Sequence, residues 1–459
     1  MTNHSHQFTK DAEKIAFNLA HRNTIKFNIS KYDAAVSKGM ERYANVDEAK
    51  NRAANIKRDV LQHWDEYLLE FEKNITANGA EVLWAENTAE ATDFIKKILI
   101  ENEAKLLVKS KSMTTEEIEL NHTAESIGCE SVETDLGEFI VQVAGERPYH
   151  IVTPAMHKSK GDIAKLFNQK FGTPLYSTPE EMTEYVRQVL RKKYTSAQIG
   201  VTGANFLIAD IGGISVTENE GNGLMSTAFP KIHIVIAGIE KIIPKFSQLG
   251  LFYPLLAAHG TGQQMTAYNS VFTAPKKENE TDGPQKMYVI LLDNGRTNIF
   301  ADDEAYESLA CIRCGACLNG CPVYKTIGGY TYDTTYSGPI GSVITPFLRG
   351  FKDFGHLSFA SSLCGKCNEV CPVKIPLTDI LLSNRRKMVE KGLRPSAERV
   401  MMKGFKYIGS DRKGFNFFPS VIKNIGLTPF NYFGWGTKRK MPIFAKKSFS
   451  EQYKLKINK

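Results

Sequence analysis

Seven of the eight cysteines fall in two short runs. The first reads Cys311-x2-Cys314-x2-Cys317-x3-Cys321-Pro322 and the second Cys364-x2-Cys367-x3-Cys371-Pro372. Thiolates at these offsets let a short loop wrap an iron–sulfur cluster, one sulfur to each corner. The chemistry this predicts is transfer of single electrons. In the bacterial two-cluster arrangement the fourth cysteine of each run serves the other cluster. Cys311, Cys314, Cys317 and Cys371 therefore read as the ligands of cluster one, and Cys321, Cys364 and Cys367 as those of cluster two. The second set is one thiolate short, and Ser361 stands where its first cysteine is expected. Three arrangements are open: a 3Fe-4S cluster, a 4Fe-4S cluster with a non-cysteine or external ligand, or Ser361 itself as an oxygen ligand. Ligand type tunes potential and reactivity, so the missing thiolate matters chemically.

A zinc site also uses C-x2-C pairs, but two runs each closed by Cys-Pro fit iron–sulfur ligation better. Disulfides do not fit the expected compartment. The first residues, MTNHSHQFTKDAEK, are polar and carry no secretory leader pattern, so a cytoplasmic location with reduced thiols is expected. The remaining cysteine, Cys129, reads as a small buried apolar residue.

These runs need a scaffold, and 459 residues allow two or three domains. The expected divisions are a helical segment 1–75, an α/β domain 76–300, a ferredoxin-type domain 301–395 and a basic, aromatic-rich segment 396–459. Residues 47–73 place Ile56, Val60, Trp64 and Leu68 at helical spacing. From about residue 79 to 299, strand-like and helical stretches alternate, which favours a largely parallel sheet. Residues 80–84, 104–109, 139–143, 150–153, 206–209, 213–217 and 232–237 read as strands. Residues 88–100 read as a helix with Asn87 as N-cap and Glu90 three residues on. Residues 376–392 read as a helix stopped by Gly392, with Pro395 beyond. No apolar run approaches membrane-span length.

Two regions outside the cysteines invite a ligand. The glycine-rich stretch 200–223 ends with Glu218, Asn219, Glu220 and Asn222 leaving a strand, where α/β domains place ligand sites; tight hairpin chemistry explains it equally well. His157, Lys158 and Lys160 offer an anion patch, though ordinary surface is the simpler account. No G-x-G-x-x-G follows a strand and no G-x4-G-K-[ST] is present, so dinucleotide and ATP sites lack support. Residues 401–459 hold thirteen Lys or Arg against Asp411 and Glu451, a charge of +11, while the whole chain carries +8. That segment also holds Phe405, Tyr407, Phe415, Phe417, Phe418, Phe430, Tyr432, Phe433 and Trp435. Packing plus docking of a partner is expected of it; no nucleic-acid module is recognisable.

The runs Cys311-Ile-Arg-Cys-Gly-Ala-Cys-Leu-Asn-Gly-Cys-Pro-Val-Tyr324 and Ser361-Ser-Leu-Cys-Gly-Lys-Cys-Asn-Glu-Val-Cys-Pro-Val-Lys-Ile-Pro376, together with the stretch 200–223 and Ile239-Glu-Lys-Ile-Ile-Pro244, closely resemble the bacterial lactate utilization protein B family. The resemblance spans nearly the whole chain. It implies a LUD domain, similar to the NagB/RpiA/CoA-transferase-like α/β fold, followed by an α-helical ferredoxin domain with two 4Fe-4S clusters. It further implies an electron-carrying part in a three-protein system that oxidises L-lactate to pyruvate. The partners would be a cysteine-rich subunit, a second LUD-domain protein and an electron acceptor without a name. The alternative is an α/β domain that binds a ligand or catalyses by itself, with the clusters serving it.

Overall fold

The computed structural model describes residues 3–430 and 443–457. It divides into two compact units, Met1–Lys391 and Gly392–Lys459. Four helices open the first: Asn3–Ala16, Leu19–Met40, Val46–Gln62 and Trp64–Ala77. Asn18 and Asn45 cap the second and third through side-chain oxygens that accept backbone N–H groups. The stretch 47–73, continuous by periodicity, is broken at His63. The break turns Trp64 inward, where its indole N–H donates to the Ile239 carbonyl at 3.0 Å in the core.

Six parallel strands form the central sheet: β1 (Glu81–Ala85), β2 (Leu106–Lys109), β3 (Glu130–Glu133), β4 (Ile199–Thr202), β7 (Ile232–Gly238) and β10 (Lys286–Leu292), in the order β1-β10-β7-β4-β2-β3. Every residue of β2, β4 and β7 is buried, as expected of strands covered on both faces. Four shorter strands, β5 (Phe206–Ile208), β6 (Gly213–Glu218), β8 (Ile242–Ile243) and β9 (Tyr268–Phe272), make a second sheet in the order β8-β5-β6-β9. The β5–β6 hairpin turns at Gly212, whose φ is +58 and whose Cβ would lie 2.3 Å from the Ile75 backbone nitrogen.

Two runs that read as strands are not strands. Residues 139–143 belong to the helix Leu136–Val143, capped by Asp135 accepting the Glu138 N–H. A five-residue apolar run has no period that separates strand from buried helix, and packing of Phe139 against Phe167 and Phe171 decides it. Residues 150–153 form a bend in which His150 Nδ1 accepts the N–H groups of Val152 and Thr153. That local bonding takes the place of a ladder. The helix 88–100 is observed as Thr88–Glu101 with Asn87 as its cap.

The cysteine runs follow the sheet in a region of short helices, notably Gly338–Arg349 and Leu377–Glu390. The latter ends just before Gly392, at φ +68. The second unit is helical, with Ser396–Gly409, Arg412–Asn416, Ser420–Phe430 and Phe449–Ile457. Within it Phe415 packs on Phe444 with the Lys423 ammonium over both rings. Phe405, Tyr407, Phe417 and Phe418 are exposed. Tyr432, Phe433 and Trp435 lie outside the described residues, as does the Phe430 side chain. Among the described residues no helix is long and apolar enough to cross a membrane.

Candidate metal centre

The two cysteine runs fold into one loop twice. In the first, Arg313 takes φ +59 and Gly315 φ +81, and Gly315 precedes the helix Ala316–Gly320. In the second, Leu363 takes φ +54 and Gly365 φ +80, before the helix Lys366–Glu369. A left-handed conformation costs a non-glycine residue about 1–2 kcal/mol, yet both loops adopt it at the same step. The Arg313 N–H donates to Cys311 Sγ at 3.4 Å, and the Leu363 N–H donates to Ser361 Oγ at 3.1 Å. Ser361 thus occupies in the second loop the place that Cys311 holds in the first.

The thiols interact in two sets. Cys317 feels the charge of Cys311, Cys314 and Cys371, and Cys314 that of Cys371 and Cys311. Cys367 feels Cys321 and Cys364. Burial, and then repulsion between neighbours, pushes Cys371 and Cys367 up to about 11. Backbone N–H groups of Tyr324 and Ile375 oppose this by donating to the sulfurs of Cys321 and Cys371. Buried thiolates that repel one another need a positive charge among them, which iron supplies. The donor set therefore fits iron–sulfur clusters: four clustered thiols on one side and three on the other, with Ser361 in the second loop at the place Cys311 holds in the first.

The surroundings of the two sets differ. Beside the first, Arg296 is buried and donates two bonds to the Glu117 carboxylate, at 3.0 and 2.9 Å, and one to Glu240. Arg313 donates to the other Glu240 oxygen at 3.3 Å and lies over the Tyr336 ring. Burial opposes ionisation of Glu240, but Arg296 and Arg313 outweigh it and hold the carboxyl at about 2. Lys57, fully buried, donates to the carbonyls of Glu240 and Ile242, and burial brings it down to about 7. The second loop faces outward instead. Cys364 is exposed, and its thiol is lowered, first by the Lys366 N–H. Lys366 pairs with Glu369 on the surface.

A cavity of about 340 Å³ adjoins the first loop. It opens at the carboxyl ends of β2 and β4, lined by Ser112, Gly203 and Asn205 there and by Arg313 and Cys314 from the loop. From β2 the chain runs outward to β3, then returns to β4 on the other side and continues to β7. That reversal makes β2/β4 the switch point of the sheet, where α/β proteins hold ligands. The strand ends approach so closely that a Cβ on Gly203 would lie 2.5 Å from Ser112 Oγ. Glu218, Asn219, Glu220 and Asn222 do reach this cavity. Most of their polar atoms are engaged in the frame: Glu218 accepts the N–H groups of Gly223 and Leu224, Asn219 pairs with Gln263, and Glu220 accepts the Leu136 N–H. Burial, then Asp135, raises Glu220 to about 7. The cavity's cations, Lys111, Lys241 and Arg313, were not singled out from the sequence. The signal for Lys241 was a charged pair, Glu240-Lys241, inside an apolar run.

Comparison with known proteins agrees with this architecture. The LUD domain family matches residues 68–292, and the 4Fe-4S dicluster domain family matches residues 307–375. Lactate utilization protein B of Geobacillus thermodenitrificans is 41% identical over 408 residues, covering 88% of this chain and 85% of its own. Lactate utilization protein B of Bacillus subtilis is 44% identical over 367 residues, covering 80% of this chain and 76% of its own. The chain belongs to the lactate utilization protein B family. A crystal structure of a DUF162 family protein from Deinococcus radiodurans covers 50% of this chain and 98% of its own at 14% identity, with a TM-score of 0.29, a likeness too slight to carry an argument.

As a member of the lactate utilization protein B family, the chain joins an α/β LUD domain to a helical iron–sulfur domain. Two residues of the anion patch read from the sequence are engaged within the fold. His157 and Lys158 both pair with Glu146, at 2.7 and 2.6 Å, so they present no open anion patch. His259 is buried and bonds to the Leu255 carbonyl. Cys129 is buried.

Proposed function

We propose that the protein is an iron–sulfur electron-transfer component of a cytoplasmic system that oxidises L-lactate to pyruvate. The observation that supports this is the repeated loop, with two groups of mutually repelling thiols and Ser361 in the second loop at the place of Cys311. Cys311, Cys314, Cys317 and Cys371 hold the first cluster, and Cys321, Cys364 and Cys367 hold the second. Ser361 is the fourth ligand of the second; the shared φ values and the Leu363 N–H bond to its oxygen support this over an open iron corner. Bound there, two 4Fe-4S clusters supply one-electron steps.

The chain's own residues set the conditions for those steps. Glu240, Arg296 and Arg313 fix the first loop beside two buried guanidinium groups, whose positive charge favours the more reduced cluster. The exposed Cys364 edge gives the second set access to a partner. The lactate reading comes from the names of the relatives, as do the expected partners, a cysteine-rich subunit and a second LUD-domain protein. The divisions 76–300 and 301–395 serve as functional units in this reading, and the basic segment 396–459 as a docking element.

The test is anaerobic purification followed by iron analysis and low-temperature EPR, with and without partners and L-lactate. Two four-iron signals per chain, reduced when lactate and partners are present, are expected. Protein that binds no iron, or clusters that stay oxidised with lactate and partners, would overturn the proposal.

A further inference from the structure

Of the seven clustered cysteines, the cavity at the β2/β4 switch point takes only Cys314 into its wall. Its chemistry is unevenly arranged. Lys241 lies only 8% exposed, and among the described residues its ammonium makes no hydrogen bond or ion pair. Arg313 is nine-tenths buried, with Nε and Nη1 unpartnered and only Nη2 held by Glu240. Lys109 and Arg296, by contrast, are each matched by two carboxylates: Lys109 by Glu116 and Glu133, Arg296 by Glu117 and Glu240. Three buried cations, Arg296, Arg313 and Lys241, thus face two buried carboxylates, Glu117 and Glu240, and the surplus positive charge on the Lys241 and Arg313 side points to an anion that comes from outside the chain.

The rest of the lining limits which anion. Asp135 and Glu220 stand in the same cavity, so an anion of high charge is repelled there. A monoanion with a hydroxyl or carbonyl suits both ends, its charge toward the cations and its oxygen toward Asn205, Thr217 and Ser112. At about 30 Å³ per water, the cavity holds roughly eleven waters' volume. That accommodates an acid of three to six carbons with solvent beside it.

We propose that this cavity is a binding site for a small 2-hydroxy or 2-oxo monocarboxylate, seated on Lys241 and Arg313 against the first cysteine loop. The anionic class follows from the cations; the choice of 2-hydroxy and 2-oxo acids rests on the lactate reading above. The site makes the α/β domain a sensor or receiver of the small acid, at the edge of the cluster nearest it.

The experiment is calorimetry on the anaerobically purified, iron-loaded chain, titrated in turn with L-lactate, pyruvate, acetate and inorganic phosphate. Each titration is paired with EPR of both clusters. L-Lactate or pyruvate is expected to bind at least tenfold tighter than acetate or phosphate and to shift the first cluster's signal while leaving the second unchanged. Lys241→Met should lower that affinity at least tenfold at unchanged iron content, and Lys241→Arg should restore most of it. Should Lys241→Met fail to fold, Lys241→Gln takes its place under the same expectation. Phosphate binding as tightly as pyruvate overturns the ligand class. Absence of any binding with iron and both signals intact overturns the site but leaves the electron-transfer reading standing. Chain that binds pyruvate but never holds iron does the reverse.

Discussion

At Cys314 the first cysteine loop lies against the sheet, under a helix whose Gly260 approaches the Cys314 carbonyl and beside the buried pair Glu240–Arg313. At Cys364 the second loop meets solvent, with Lys366 and Glu369 around it. Their backbones match at Arg313 and Leu363 and again at Gly315 and Gly365. The contrast teaches that short-range spacing dictates the loop, whereas residues far away in the chain dictate what the loop experiences. One loop is enclosed, and the other is exposed.

The largest effect should come from breaking the enclosure. Glu240→Ala leaves Arg296 and Arg313 buried without their shared carboxylate, a loss of about 3–5 kcal/mol by analogy with other broken buried pairs. Urea denaturation should show it, with the first cluster's EPR signal lost ahead of the second's. If both signals fade together at an unchanged midpoint, the enclosure does not separate the loops.

Acid should act next, and on the same side. Burial lowers His150 to about 3 and His259 to about 4, from an ordinary 6.5. Both flank the first loop: a Cβ on Gly315 would meet His150, and Gly260 adjoins His259. Their folded values are depressed, so the unfolded chain binds more protons below pH 6.5. The stability they confer is present above 6.5 and is lost as pH falls toward 4, at roughly 1.4 kcal/mol per pH unit for each. Denaturation midpoints at pH 7.5, 6.5 and 5.5 should fall steadily over the lower pair. Equal midpoints at 6.5 and 5.5 would mean that these rings are not neutral in the folded chain.

Exchanging Cys311 and Ser361, which hold the same place in the two loops, probes the loops themselves. Cys311→Ser should make the first cluster release iron to a chelator about tenfold faster, the size of effect that a lost metal-site partner produces. Ser361→Cys should slow release from the second and shift its EPR signal with iron per chain unchanged. An unchanged second signal would exclude Ser361 from ligation. The smallest effect is expected from Lys366→Ala, which breaks only a solvent-screened surface pair with Glu369 and should leave the denaturation midpoint unchanged.

Much of this asymmetry was invisible in the sequence for a physical reason. The cysteine spacing, the repeat of one loop and the α/β alternation were legible because they depend on offsets of a few residues. The partner of Arg313 is Glu240, seventy-three residues earlier, and no local pattern announces such a pair. The same holds for the cavity, where Ser112 and Gly203 meet only because β2 and β4 are neighbours. Glu218 and Asn219 drew attention as possible ligands, but most of their polar atoms serve the turn they stand on. Residues 139–143 misled because a short apolar run looks the same in a strand and in a buried helix.

Glu240 has a consequence for how such a protein can be assembled in evolution. One carboxylate, on the chain segment after β7, is shared by an arginine beyond β10 and an arginine inside the cysteine loop. An α/β half cut away from its partner half would keep Arg296 on that carboxylate but lose Arg313. The two halves match different families, yet they are not interchangeable cassettes. A graft of this cysteine region onto another α/β protein would have to bring its counter-charge along.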